Sequence, residues 1–355
     1  MGEGNLDNPV SDLTYEKSGV SIQAQDDAIA AFKPLIERTF GKEVLAGVGA
    51  FGAAYAPQLG GMAEPVLVSS TDSVGTKTLL HVRFNTHEWA GRDLVGCVVN
   101  DVICSGAKPI FMLDYIGLHK VEPARMKEIV GGIAAGCEEI GCTLIGGEIA
   151  EMRDLYQPHE FDLAGFAVGL VDRKNMLTGS GIVAGDVLIG LASSGVHCNG
   201  FSLARKALAG MSDSEFLASS TELGGSLKQV LLTPTRCYAN IMTQLRAQGL
   251  PKVAAHISGG GLIDNVPRVI PSGLQAAVFR NRISVPLVFD IIRRQGFITD
   301  DEMWHVFNMG IGFVIVVGAN EADQVVDFVK ERNFGATVIG EVVKAHGDQR
   351  FTWAE

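Results

Sequence analysis

The segment Pro65 to Lys77, PVLVSSTDSVGTK, restricts this chain more than any other stretch. An apolar run ends in Ser-Thr-Asp, turns through Val74-Gly75-Thr76 and delivers a lysine. An acid able to hold Mg²⁺, a glycine that lets backbone approach a phosphate, and a cation sit side by side, a grouping that suits a nucleoside triphosphate. The G-x-x-x-x-G-K-[ST] spacing of a P-loop is absent. Gly47-x-Gly49-x-x-Gly52 has the spacing of a dinucleotide fingerprint, but it follows Lys42 to Ala46 rather than a clear strand, so on its own it is weak support for that fold. A triphosphate site on this chain calls for a less common architecture.

The chain has 355 residues, room for two ordinary domains. Hydrophobic residues at 47%, charged residues at only 19% and 43 glycines describe a compact enzyme built of α/β or α+β layers. Strands are expected near 66–70, 110–116, 143–145, 161–171, 186–192, 253–257, 274–279, 312–317 and 337–342. Helices are expected near 89–106, 122–140, 202–209, 234–248, 259–269, 286–295 and 321–332. Residues 210–225 read as a polar insertion that loops out. The charged turn Asp172-Arg173-Lys174-Asn175 is the best boundary, dividing the chain into 1–173 and 174–355.

A net charge of −11 without a basic stripe argues against nucleic-acid binding. The six cysteines (97, 104, 137, 142, 198 and 237) show no C-x-x-C pair and read as free thiols of a reducing compartment. The N-terminal MGEGNLDNPVSDLTYEKSG lacks the apolar core of a signal peptide, and no apolar run reaches the length of a membrane span. A soluble, cytoplasmic protein is expected.

Four clusters are candidates for chemistry, each with a plainer reading beside it. Asp72 and Lys77 are either a solvated loop or part of a phosphate site. Asn100-Asp101 lies inside the apolar helix text VGCVVNDVICSG, where a charge is costly without a partner. Glu148 follows Gly146-Gly147 at an expected strand end, where ligands bind in α/β layers. Asp72, Asp101 and Glu148 are therefore candidates to converge on Mg²⁺ with substrate phosphates. Ser193-Ser194-Gly195-Val196-His197-Cys198-Asn199-Gly200 reads as a phosphate-binding loop or as a tight strand–helix turn. His256 to Gly261, with three successive glycines, permits close approach by backbone or ligand. Phe307 to Gly312 reads as a packing feature.

Taken together these segments resemble the phosphoribosylformylglycinamidine cyclo-ligase (AIR synthetase) family. The resemblance runs from Tyr15-x-x-x-Gly19-Val20 nearly to the C-terminus. It is carried by GVGAFGA at 47–53, TDSVGTK at 71–77, VNDVICSGAKPIFMLDY at 99–115, GGEIAEM at 146–152 and DLAGFAVG at 162–169. The second half adds SSGVHCNGFSL at 193–203, TPTR at 233–236, HISGGG at 256–261 and FNMGIG at 307–312. Ser73, Ile149, Arg153 and Cys198 depart from the family pattern, while Asp72, Lys77, Asp101, Glu148 and the His197-x-Asn199 pair are kept.

The resemblance implies a homodimer whose N-terminal sheets join into a shared barrel, with larger C-terminal α/β domains outside. It implies ATP-dependent closure of an imidazole ring in purine biosynthesis, with Mg²⁺, through phosphorylation of a formyl amide oxygen. On matching positions, Asp72, Asp101 and Glu148 would hold the metal, and Lys77 would pair with phosphate oxygens. Lys33, Gly47, Gly49, Phe51, Gly52, Thr76 and Asn100 would surround the nucleotide, the glycine loop closing as a lid. Ser193, Ser194, Gly195, His197 and Asn199 would hold the ribonucleotide, and His197 would move the ring-closure proton.

Related ATP-using enzymes share this plan. The first cysteine is Cys97, the chain ends in FTWAE, and it is too short for a fused amidotransferase. These points count against selenophosphate synthetase, the hydrogenase-maturation protein and formylglycinamidine ribonucleotide synthetase in turn. Thiamine-monophosphate kinase remains the enzymatic alternative, and a nucleotide sensor without turnover the non-enzymatic one.

Overall fold

The computed structural model describes residues 20–345 and 347–354. The Tyr15-x-x-x-Gly19 motif and the N-terminal segment read above, residues 1–19, lie outside the described residues.

Helix α1 (Ile22–Glu37) starts at Ser21, whose side chain accepts from the Ala24 N–H. A short antiparallel ribbon, β1 (Val44–Ala46) and β2 (Ala54–Tyr55), follows. Then come β3 (Pro65–Ser73), α2 (Thr78–Phe84), α3 (His87–Cys104), β4 (Lys108–Leu118), α4 (Pro123–Ile140), β5 (Thr143–Glu151) and β6 (Phe161–Asp172). The long strands form one sheet in the order β3-β6-β4-β5, parallel only between β4 and β5. Period-two alternation divides its faces. Val66, Val68, Ser70 and Asp72 turn toward the helices, whereas Leu67, Phe166 and Tyr115 stay exposed on the opposite face. Helices α3 and α4 lie unusually close because Gly91 and Gly132 face each other's helix. A Cβ at 91 would run into the Ile129 carbonyl, and one at 132 into the Glu88 carbonyl.

The second half contains β7 (Val187–Ala192), α5 (Phe201–Ala207), α6 (Asp213–Leu217), β8 (Ser219–Ser220), β9 (Gly225–Ser226), α7 (Leu227–Leu232), α8 (Ala239–Arg246), β10 (Val253–His256), α9 (Gly261–Asn265), β11 (Leu274–Phe279), α10 (Leu287–Gly296), α11 (Asp300–Val306), β12 (Ile311–Val317), α12 (Ala322–Lys330), β13 (Ala336–Lys344) and β14 (Phe351–Ala354). Six strands form a second sheet, ordered β10-β12-β7-β13-β11-β14. Strand β12 is buried along its whole length, so this sheet is covered on both sides. One apolar core runs from α3 and α4 into residues Ile189, Leu191, Ala254 and Phe313 of the second sheet, and a second core lies on that sheet's other face.

Three expectations are corrected. The expected helix over 234–248 begins only at Ala239, because α3 captures the preceding backbone. Asp93 accepts the Thr235 N–H and Asn100 accepts the Tyr238 N–H, so residues 233–238 stay non-helical. The strand expected at 143–145 continues to Glu151 alongside β4, which places Glu148 within the strand rather than at its end. The insertion at 210–225 carries its own helix, α6, closed by a capping box between Ser212 and Glu215.

Candidate active site

The cleft between the two sheets is seamed by residues from both halves. Ser70 and Asp72 come from β3, Asp101 from α3 and His256 from the end of β10. Asp101 accepts from the Ser70 hydroxyl at 3.2 Å and from His256 Nδ1 at 2.9 Å. Burial would raise Asp101, but the His256 hydrogen bond and charge, the Ser70 hydroxyl and Arg268 outweigh it and hold the carboxyl below its usual range. Asp72 behaves oppositely. Burial pushes it up and the negative charge of Asp101 adds to that, against the Ser73 N–H it accepts at 2.7 Å. Beside them Thr76 is exposed and its hydroxyl lies 3.0 Å from that of Ser202, joining the 75–77 turn to the second half.

Lys77 does not face this cleft. Its ammonium is 0% exposed, donates to Asp93 at 2.8 Å and to the Thr233 carbonyl at 3.1 Å, and is therefore held within the protein rather than offered to a phosphate. Asp93 also accepts from the Thr235 N–H and hydroxyl and binds His81 Nε2 at 2.9 Å. Burial opposes ionisation of Asp93, yet Lys77 and His81 hold its carboxyl well below the ordinary range. Burial likewise keeps His81 below its usual value despite Asp93. Asn100 is also withdrawn from any nucleotide: both ends of its side chain bind the 236–238 backbone.

The loop 193–200 is braced from within. The Ser193 hydroxyl donates to the Gly195 carbonyl and the Ser194 hydroxyl to Pro234. His197, at φ 64° and 2% exposed, turns its ring inward and accepts the Ser194 N–H on Nε2. Burial, then the charges of His256 and Lys77, keep it well below the usual histidine value. A proton carrier needs access, so this geometry does not suit His197 to ring-closure proton transfer. Asn308, read from sequence as packing, donates to the Gly195 and Val196 carbonyls and is the main brace of the loop. Cys198 Sγ lies 3.3 Å from the Thr235 hydroxyl, a contact a serine also makes. Asn199 approaches Gly259 across the cleft.

Glu148 is not with Asp72 and Asp101. Register carries a row from Asp72 through Gly165 and Asp114 to Gly147, so Glu148 lies three strand spacings, about 14 Å, from Asp72. Among the described residues no three His, Cys, Asp or Glu side chains converge as a metal cage. Glu148 instead borders a cavity of about 260 Å³ between α1, α4 and β5, where Val48 and Gly49 of the glycine loop also lie. Gly47 packs on Phe40, while Phe51 and Gly52 are exposed. Lys33 is exposed on α1 beside Glu37 and does not line the cavity.

Sequence reasoning passed over Asp93 and Asp114, yet both carried the signal that singled out Asp101: one acid in otherwise apolar text.

Comparison with known proteins spans both halves. The family described as AIR synthase related protein, N-terminal domain, matches residues 41–171, and its C-terminal counterpart matches 183–351. A phosphoribosylformylglycinamidine cyclo-ligase of Carboxydothermus hydrogenoformans is 43% identical over 94% of this chain and 97% of its own length. One of Acetivibrio thermocellus is 45% identical over 93% and 97%. The thiamine-monophosphate kinase of Stenotrophomonas maltophilia has the same fold, with a TM-score of 0.68 over 92% of this chain and 95% of the other. At 17% identity it bears on the fold alone.

Proposed function

This chain belongs to the phosphoribosylformylglycinamidine cyclo-ligase family, and we propose from that membership that it closes the imidazole ring of aminoimidazole ribonucleotide. The substrates are formylglycinamidine ribonucleotide and ATP; the other products are ADP and phosphate. The observation that carries the reading is 43–45% identity along nearly the whole of both chains.

An amide oxygen is a poor leaving group. ATP transfers its γ-phosphoryl to the formyl amide oxygen, the amidine nitrogen attacks that carbon, the C–O bond breaks, and phosphate departs as nitrogen loses a proton. Catalysis of the first step is positioning and charge neutralisation. Asp72, Asp101 and the Ser70 hydroxyl are oxygen donors suited to Mg²⁺, which takes one or two carboxylates and draws the rest from phosphates and water. When bound, that ion would neutralise the triphosphate. His256 positions Asp101, and the raised Asp72 carboxyl is a group that gains from a nearby cation. Thr76, in the 75–77 turn, is assigned to phosphate contact, and Asn199 to ribonucleotide contact on the 193–200 loop that Asn308 and His197 hold rigid. Lys77 and Asn100 serve as framework. The exposed 47–52 loop is assigned as the lid over the nucleotide.

We assign the two sheets to two domains, 1–173 and 174–355, and the open face of the first sheet to homodimerisation. Both edges of that sheet, β3 and the second half of β5, have no strand partner among the described residues. Closing the sheets of two copies into a barrel would lay β3 of one against β5 of its partner, which brings the Asp72 edge beside a Glu148 edge. Sedimentation velocity reads the dimer directly. Six free thiols suit a reducing cytoplasm.

The test is ADP release by purified protein with MgATP, with and without formylglycinamidine ribonucleotide, while aminoimidazole is followed. Ring product in step with ADP is expected. ADP release driven only by thiamine monophosphate would overturn the reading.

A further inference from the structure

A cavity of about 630 Å³ lies where the chain passes from its first half to its second. That volume falls within the roughly 300–1,000 Å³ of small-molecule pockets. Strand register sets it apart from the catalytic cleft. Asp172 on its wall pairs with Pro65, whereas Asp72 pairs with Gly165, so β3 separates the two places by seven residues, about 23 Å. Lys252, also on the wall, precedes β10, and His256 of the cleft ends that strand.

Four cations line the cavity: Lys108 from β4, Lys174 from the boundary turn, Arg246 from α8 and Lys252. Asp186 accepts from Lys252 at 2.7 and 2.8 Å, and Lys174 lies 3.9 Å from Asp172. Among the described residues, Lys108 and Arg246 have no carboxylate within ion-pair distance. Set against the two acids, the four cations leave a surplus of two positive charges, on a chain whose net charge is −11. Arg246 donates to the Asn175 carbonyl at 2.7 Å and to the Pro251 carbonyl at 3.5 Å. These two contacts fix the guanidinium plane and leave its other N–H groups without a partner among the described residues. Burial alone pushes this guanidinium below its usual value, and no acid offsets the cost.

We propose that this pocket binds a phosphomonoester dianion, with Arg246 and Lys108 holding the phosphate and the organic part resting against Met62 and Leu177. The dianion matches the surplus in charge, and a guanidinium fork can meet two phosphate oxygens at once. Met62 and Leu177 are half-buried apolar side chains on the same wall. The proposal does not depend on the ring-closing reading. A ligand seated there would tie β4 of the first half to α8 of the second, behind the cleft in which the two halves meet.

Isothermal titration of the full chain with phenyl phosphate and, separately, with inorganic phosphate tests the proposal on wild type, Arg246→Gln and Lys108→Gln. Wild type is expected to bind phenyl phosphate with a Kd below about 1 mM. Inorganic phosphate should bind about tenfold more weakly, because it lacks the apolar contact. Each substitution removes a charge-assisted hydrogen bond and should weaken phenyl phosphate about tenfold or more, with ring closure unchanged. Arg246 also braces two backbone carbonyls; Lys108→Gln, at an exposed position, reads the charge without that role. Saturating MgATP should not displace phenyl phosphate. Wild-type affinity in the folded variants overturns the proposal, as does competitive displacement by MgATP or a wild type that does not bind phenyl phosphate. Equal affinity for inorganic phosphate overturns the assignment to an ester.

Discussion

Asp93 and Asp101 stand about two turns apart on α3, and the molecule treats the regions around them in opposite ways. Around Asp93 everything is closed: Lys77, His81 and Thr235 fill its coordination, and no solvent reaches the pair. Around Asp101 the cluster is half open. Among the described residues its hydrogen-bond partners are His256 and Ser70, and Asp72 beside it carries a raised carboxyl. A complete set of partners makes a carboxylate into a joint between the two halves; an incomplete set leaves one able to bind something else. The motif TDSVGTK feeds both regions, Asp72 to the open one and Lys77 to the closed one.

Breaking the closed region should give the largest effect. Lys77→Met strands Asp93 as a buried uncompensated charge and should cost about 3–5 kcal/mol of stability in thermal or urea unfolding. If instead stability holds and the KM for ATP rises, Lys77 is a phosphate ligand and the contrast between the regions fails. Asp72→Asn in the open region should lower ring-closure kcat about 10²–10³-fold with the melting temperature unchanged or higher. A clear loss of stability there would make Asp72 a joint as well.

Asp114 sharpens the contrast from a third side, being buried and, among the described residues, without a hydrogen bond beyond its own backbone N–H. Its carboxyl moves from 3.8 to about 7 on folding, so the stability that its protonated form contributes is present below pH 4 and lost as pH rises through 7. Asp114→Asn should therefore raise stability at pH 8 more than at pH 5. The difference should be roughly 2 kcal/mol, under a ceiling of about 4 kcal/mol at 1.36 kcal/mol per pH unit. An equal effect at both pH values would mean that the carboxylate has a partner in solution. Cys198→Ser should change least. The hydroxyl can keep the contact with Thr235, so stability should stay within about 1 kcal/mol and activity should persist.

Local pattern made much of the fold legible. Helix α4 follows its apolar period and opens at Pro123, and β6 and β7 lie where short apolar runs placed them. The acids of the open cleft were legible for the same reason: Asp101 in apolar helix text needed a partner, and His256 is that partner. What failed did so through long-range contact. The helix expected from Pro234 starts late because Asp93 and Asn100, more than a hundred residues away, hold its first backbone donors.

Sequence by itself determined where most strands and helices lie, that Asp101 interrupts apolar helix text, and that the chain belongs with ATP-using ring-closing enzymes; the same signal stands at Asp93 and Asp114. Only tertiary structure decided which of those acids is satisfied. Lys77 follows Asp72 by five residues, yet the chain turns between them, so one side chain stays in the cleft and the other is sealed in the core. Glu148 shares a sheet with Asp72, yet strand order puts two strands between them. Spacing along a chain fixes chemistry and period; which groups meet depends on strand order and helix packing, where distant residues compete for the same hydrogen bonds.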